Sequence, residues 1–183
     1  MWNDMLRLDG LLQTVQDRGN PDYVNKNGPF PGVSSYWLGK GYYFWDNLFS
    51  RAQWWGNTHC HGKYMICRAY ALIDDKSYLD LAGNMIQLQQ FKEQYDIIQQ
   101  MHKNRTITIS FAINKLRKEH LFPYQAVRSL SNECGGDDAV NYVEDHPSYL
   151  NFSPPMQICV YSYNSIHDYH VIFPLEYTAT GLI

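Results

Sequence analysis

Three short stretches hold residue types able to do chemistry. The first is His59-Cys60-His61, with Cys67 further along. These are metal-ligating types, but zinc sites favour two close pairs separated by a longer span. Only one cluster is present, and Cys67 falls inside an apolar run that reads as a strand, so no metal site is expected. The second is Gly39-Lys40-Gly41-Tyr42-Tyr43-Phe44-Trp45. Rings of this kind suit a core or a flat ligand, but a core has no need of two glycines directly before them. The third is Gln157-Ile158-Cys159-Val160-Tyr161, an apolar run opened by a single amide.

The elements that would hold these residues can be read from periodicity. Residues 2–17 place Trp2, Met5, Leu8, Leu11, Leu12 and Val15 at roughly helical spacing, weakened by Gly10. Residues 19–35, rich in Pro and Gly, read as loop. A strand over 41–45 is followed by a helix to about 55, capped by Asp46 or Asn47. Residues 63–73 read as a strand. Helices are expected over 85–102, with Met85, Leu88, Phe91, Tyr95, Ile98 and Met101 on one face, and over 107–118, with Ile109, Ile113 and Leu116 inward. Strands follow at 126–130, from 157 to 161 or beyond, and at 168–173. The long segment 131–155 reads as a functional loop. The order of elements predicts an α+β domain with antiparallel or mixed sheets.

Composition sets limits. The chain has 183 residues, enough for one domain with its own core. Hydrophobic residues make up 45%, charged residues 18% and aromatics 15%, and the formal charge is −3. A broad basic surface for nucleic-acid phosphates is therefore not expected. No apolar run is long enough to span a membrane. Four scattered cysteines do not make a disulfide framework, which points to a reducing, cytoplasmic setting. Trp54 and Trp55 cannot both face a core, since neighbours on a helix diverge. Arg128 is read either as a pocket residue or as a salt-bridge partner. His167 and His170 read as surface or satisfied core histidines, and the glutamines of 85–102 as a solvated face.

The segment Gly39-Lys40-Gly41-Tyr42-Tyr43-Phe44, followed by a helix containing Ala52, resembles the second signature of the ADP-ribosyltransferase superfamily. In the branch of the poly(ADP-ribose) polymerases and diphtheria toxin this strand reads G-x-G-x-Y-F. Gln157–Tyr161 resembles the third signature, a strand normally opened by glutamate. The resemblance implies an α+β fold over residues 1–183, with two antiparallel or mixed sheets and helices around an NAD cleft. It implies NAD as substrate, cleavage of the nicotinamide glycosidic bond, and transfer of ADP-ribose to a protein or nucleic acid. Gly39 and Gly41 would shape the nicotinamide end, Tyr43 would stack on the ring, and Gln157 would meet the ribose 2′-hydroxyl. The loop 131–155, with Tyr142, Tyr149 and Phe152, would choose the acceptor. A small transferase of this kind resembles toxins of toxin–antitoxin or anti-phage systems, which need a neutralising partner.

Two departures matter. No histidine precedes His59, so the usual His-Gly-Thr or His-Gly-Ser signature is missing. Either it lies outside this chain, or Leu6-Arg7-Leu8-Asp9 stands in for it. The latter resembles the Y-R-x-D opening of the cholera-toxin branch and implies a phosphate or ribose contact for Arg7; a surface arginine is the alternative. Gln157 keeps a hydrogen bond but not the charge that stabilises a cationic sugar. Losing such a contact costs about 2.7–4 kcal/mol, roughly 100- to 1000-fold in rate. Glu133, Asp137, Asp138, Glu144 or Asp145 could replace the acid. Otherwise the protein is a weakened enzyme, natural or substituted, or a binding or interaction module.

Overall fold

Residues Met5–Gln16 form a strand, β1, and not a helix. The reason is a bulge: the register of β1 against its neighbour shifts between Leu8 and Leu11, and Gly10 there has φ +67°. An extra residue in a strand reverses the parity of the side chains that follow. Leu8 and Leu11, three apart, therefore enter the same core cluster, and a period of two masquerades as one near three. A Cβ on Gly10 would lie 1.7 Å from Asn47 Oδ1, so only glycine fits the bulge.

The computed structural model describes residues 5–32, 36–131, 139–144 and 148–178. After β1 come α1 (Pro21–Asn27), β2 (Tyr42–Asp46), α2 (Phe49–His59), β3 (Tyr64–Asp74), β4 (Tyr78–Asp80), α3 (Met85–Met101), α4 (Ile109–Lys118) and β5 (Ala126–Leu130). Then follow β6 (Ala139–Asn141), β7 (Tyr149–Asn151), β8 (Met156–Val160) and β9 (Ile166–Phe173). The helices start where local chemistry allows. Asn84 caps α3 by accepting from Ile86 N and Gln87 N, and Thr108 caps α4 by accepting from Phe111 N. Pro21 opens α1 at a position where its missing N–H costs nothing. For α2 the cap position is Leu48, not Asp46 or Asn47, and no side chain caps it.

The architecture is α+β. Seven strands form one sheet in the order β4-β5-β8-β2-β1-β3-β9, and β6-β7 form a separate hairpin. The β4–β5 pair is parallel and the other pairs are antiparallel. The large sheet is continuous, and its two halves contribute to one core. Leu11, Ala71 and Ile166 from the β1-β3-β9 half share one core cluster with Phe44, Ala126 and Val160 from the β2-β8-β5 half. The opposite face is covered by α3 and α4 through Phe91, Ile98, Ile113 and Leu116, and by α2 through Ala52. Two glutamines of α3 are structural: Gln87 bonds the backbone of Tyr78 and Asp80, and Gln99 that of Arg105 and Ile107. Arg128 joins β5 to both flanks of its half, at 2.7 Å from Asp46 and 3.2 Å from Asp80.

The two halves meet along a short seam. β1 pairs with β2 only at Leu11–Asp46 and Leu12–Trp45. Beyond that point β1 stays with β3 down to Gln16–Tyr64, while β2 stays with β8 to Tyr42–Val160. The strands part, and the sheet splits.

Burial in this fold carries an alkaline liability. Burial pushes the thiols of Cys67 and Cys159 up to about 12 from an ordinary 9.0, and it raises the phenols of Tyr161 and Tyr169 in the same sense. Each group is held protonated in the fold, whereas the unfolded chain starts releasing these protons near pH 9. Their contribution is thus complete below about pH 9 and is lost as pH climbs toward 12. The urea midpoint is expected to fall steadily between about pH 8.5 and 11, and to fall less in Cys67→Ala. A midpoint flat over that range would contradict this account.

Candidate functional site

A cavity of about 790 Å³ occupies the split. One wall is β1 from Leu12 to Gln16, and the other is β2 from Tyr43 to Trp45, extended by Gln157 of β8. The chain between Asn20 and Gly32, together with Trp37, closes one side, and Trp55, His59 and Cys60 at the end of α2 close another. The lining is largely aromatic. Trp45 and Trp55 are tilted at 56° with centroids 6.2 Å apart, and Trp55 stacks on His59 at 3.7 Å. Volume and lining suit a ligand of drug or cofactor size.

Tyr43 and Gln157 both line this cavity. Gln157 is paired with Trp45, and Tyr43 with Cys159, across the β2–β8 ladder. Tyr43 and Gln157 are therefore diagonal neighbours on one face, with Cα atoms roughly 7–8 Å apart. They share a wall and do not oppose each other. The Tyr43 hydroxyl accepts from Leu38 N at 2.9 Å and donates to Gly39 O at 2.7 Å. Its proton is thus committed to the turn before β2, and desolvation holds its pKa well above the ordinary value.

Gly39 and Gly41 do not line the cavity. A Cβ on Gly41 would meet Cys159 Sγ at 2.6 Å and the carbonyl oxygen of Val160 at 2.8 Å. Gly39 has φ +88° and carries the turn that receives the Tyr43 hydroxyl. Gly41 permits close approach to strand β8, and Gly39 lies against Ile113 and Asn114 of α4; neither approach is to the cavity. Arg7 is also elsewhere. Its side chain is 52% exposed, pairs with Asp9 at 2.7 Å, and lies 3.6 Å over the ring of Tyr70. The hydrogen bond to Asp9 is the largest cause raising its pKa. Arg18 is the one Lys or Arg among the described lining residues.

Three residues not singled out from the sequence organise the site. Gln13 is 7% exposed. It donates to the carbonyls of Phe30 and Tyr43 and accepts from Phe30 N and the Tyr169 hydroxyl. It thereby ties both lips of the split to the covering segment. Trp37 Nε1 donates to Gln157 Oε1 at 3.1 Å. Arg51, buried in α2, donates through Nε to Ser153 O at 2.6 Å, which fastens the chain entering β8 to that helix. The usable signal in the sequence was an arginine beside Ala52 on the packed face of a helix; Gln13 fell in a segment whose spacing reads as helical and gave no such signal.

The described part of 131–155 carries the β6–β7 hairpin, closed by Tyr142 N to Ser148 O at 3.1 Å, and Tyr142, Tyr149 and Phe152 are exposed. Glu144 is exposed as well; Glu133, Asp137, Asp138 and Asp145 lie outside the described residues. Among the described residues no group of three or more His, Cys, Asp or Glu side chains is placed to hold a metal ion, and no helix is long and apolar enough to cross a membrane. His167 stacks on Tyr70, and Cys67 is buried in the core. The chain matches no protein-family model, no curated protein and no solved structure.

Proposed function

We propose that the chain is an NAD-binding protein of ADP-ribosyltransferase type, with the nicotinamide half of NAD seated in the split. The observation that supports this most is the convergence of Tyr43 and Gln157 in one aromatic cavity where β1 and β2 diverge. A flat pyridinium ring fits against Tyr43, Trp45 or Trp55, and the attached ribose falls within reach of Gln157. Arg18 serves the pyrophosphate as a forked donor. In the reaction nicotinamide leaves with the electron pair of the glycosidic bond, and the cationic sugar carbon is captured by an acceptor nucleophile. The exposed aromatics of the β6–β7 hairpin, joined to Gln157 through Ser153, are the surface offered to a macromolecular acceptor, protein or nucleic acid. By analogy with toxin systems, the same surface would be masked by a neutralising protein.

A second reading has its own support. Gln157 bears no charge and its oxygen already accepts from Trp37, which suits a module that holds NAD without cleaving it. One experiment separates the two. The protein is incubated with adenine-labelled NAD and cell lysate while nicotinamide release, label in macromolecules and thermal unfolding are followed. Release with transfer of label identifies the transferase; stabilisation by NAD without release identifies the module. If NAD changes neither unfolding nor product, both readings fall.

A further inference from the structure

We infer that Trp37 fixes the polarity of the Gln157 amide, so that the cavity meets its ligand with an N–H donor at that point and not with an oxygen. An indole nitrogen can only donate. The partner of Trp37 Nε1 must therefore be the amide oxygen of Gln157, and the two orientations of the amide, which heavy-atom positions alone do not separate, are separated by this bond. The oxygen is then occupied, and the NH₂ group points the other way. Gln157 is 8% exposed, and among the described residues its Nε2 has no hydrogen-bond partner. Nor is that nitrogen one of the sealed buried atoms, which are Asn20 Oδ1 and Ser131 Oγ. What remains open to it is the cavity that Gln157 lines. Trp37 is itself partly buried against the cluster holding Leu38 and Ile113, so the indole is held from behind.

The consequence for a ligand is chemical. In the open cavity this donor meets water, and the ligand atom that takes the place of that water must be an acceptor. This deepens the NAD reading and rests on it: the ribose 2′-hydroxyl is held through its oxygen lone pair, with its own proton directed elsewhere. That contact draws electron density away from the sugar, the opposite of what a carboxylate does. Trp37 is thus a positioning residue that biases the site toward holding the intact dinucleotide, and releasing the indole frees the amide to turn.

The test is a double-mutant cycle with an independent check on the bond. In Trp37→Phe the ring stays and the N–H is lost. With Gln at 157, nicotinamide release from NAD is expected to rise about three- to tenfold, the worth of one hydrogen bond reversed in sense. In Gln157→Glu the two carboxylate oxygens are equivalent, and Trp37→Phe is expected to change release by less than about twofold. An equal effect in both backgrounds would mean that Trp37 only packs, and would overturn the inference. Separately, the indole N–H proton resonance of Trp37 is expected to shift and its exchange to quicken in Gln157→Leu. No response there means the bond is not made, and the inference fails whatever NAD does. A clear response with no NAD cleavage in any variant, Gln157→Glu included, keeps the lock and removes the transferase reading instead.

Discussion

Gln157→Glu is expected to raise nicotinamide release by about 100- to 1000-fold, the largest change of activity that one substitution can bring here. The position needs no rebuilding. Side-chain length is unchanged, the ladder pairing with Trp45 is a backbone property, and Trp37 Nε1 can donate to one carboxylate oxygen as it does to the amide. The second oxygen then faces the cavity with its share of the carboxylate charge where positive charge develops on the sugar. At a position only 8% exposed, that charge is less screened than one in open water. The same burial raises the pKa of the new carboxyl above the ordinary ~4.3. Activity of the variant should therefore climb with pH through that raised pKa, a profile the wild type lacks. Steady-state release of nicotinamide across pH measures both. A variant that still binds NAD, judged by thermal stabilisation, yet releases no more nicotinamide than the wild type would show that the ribose does not lie at Gln157.

What the sequence disclosed and what it hid have physical causes. Elements with unbroken periodicity were legible: α3 and α4 by their gaps of three and four, β3 and β8 by apolar runs, β2 by its aromatic block. β1 was misread because the bulge at Gly10 changes the parity of the apolar residues, so that Leu8 and Leu11 share a core at a helix-like spacing. α1 was hidden inside a Pro- and Gly-rich stretch, although Pro21 stands at a helix start where proline is tolerated. Tyr43 and Gln157 could be placed on strands because each lies in a clear apolar run, and the two strands pair so that both line the cavity. The meaning of Gly39 and Gly41 was half legible. Both mark close approach, but Gly41 faces Val160 and Cys159, which a linear reading cannot bring beside it. Gln13, Trp37 and Arg51 act through partners far along the chain, Ser153 for Arg51 and Gln157 for Trp37. Their roles arise only when the sheet is assembled.

Gln13 should then be the residue whose loss costs the most stability around the cavity. Its amide uses both ends: Nε2 reaches Phe30 O at 2.8 Å and Tyr43 O at 3.3 Å, while Oε1 receives Phe30 N at 3.0 Å and the Tyr169 hydroxyl at 2.9 Å. Gln13→Leu keeps the volume and removes every one of these bonds. It takes a partner from two carbonyls and one amide N–H, and leaves the Tyr169 hydroxyl with Cys67 alone. Each such group costs about 1–3 kcal/mol when buried, and water entering from the cavity relieves part of it, so a loss of about 3–5 kcal/mol is expected. Gln16→Leu, at an exposed position on the same strand, should stay within about 1 kcal/mol of the wild type. Urea denaturation read by midpoint at constant slope compares the two. The loss should carry a functional signature as well: β2 and the segment at Phe30 are no longer tied to β1, so the walls of the split should drift and NAD should stabilise the variant less than it stabilises the wild type. If Gln13→Leu unfolds within 1 kcal/mol of the wild type, the bonds are made equally well by water, and the two halves of the sheet are held apart by packing alone.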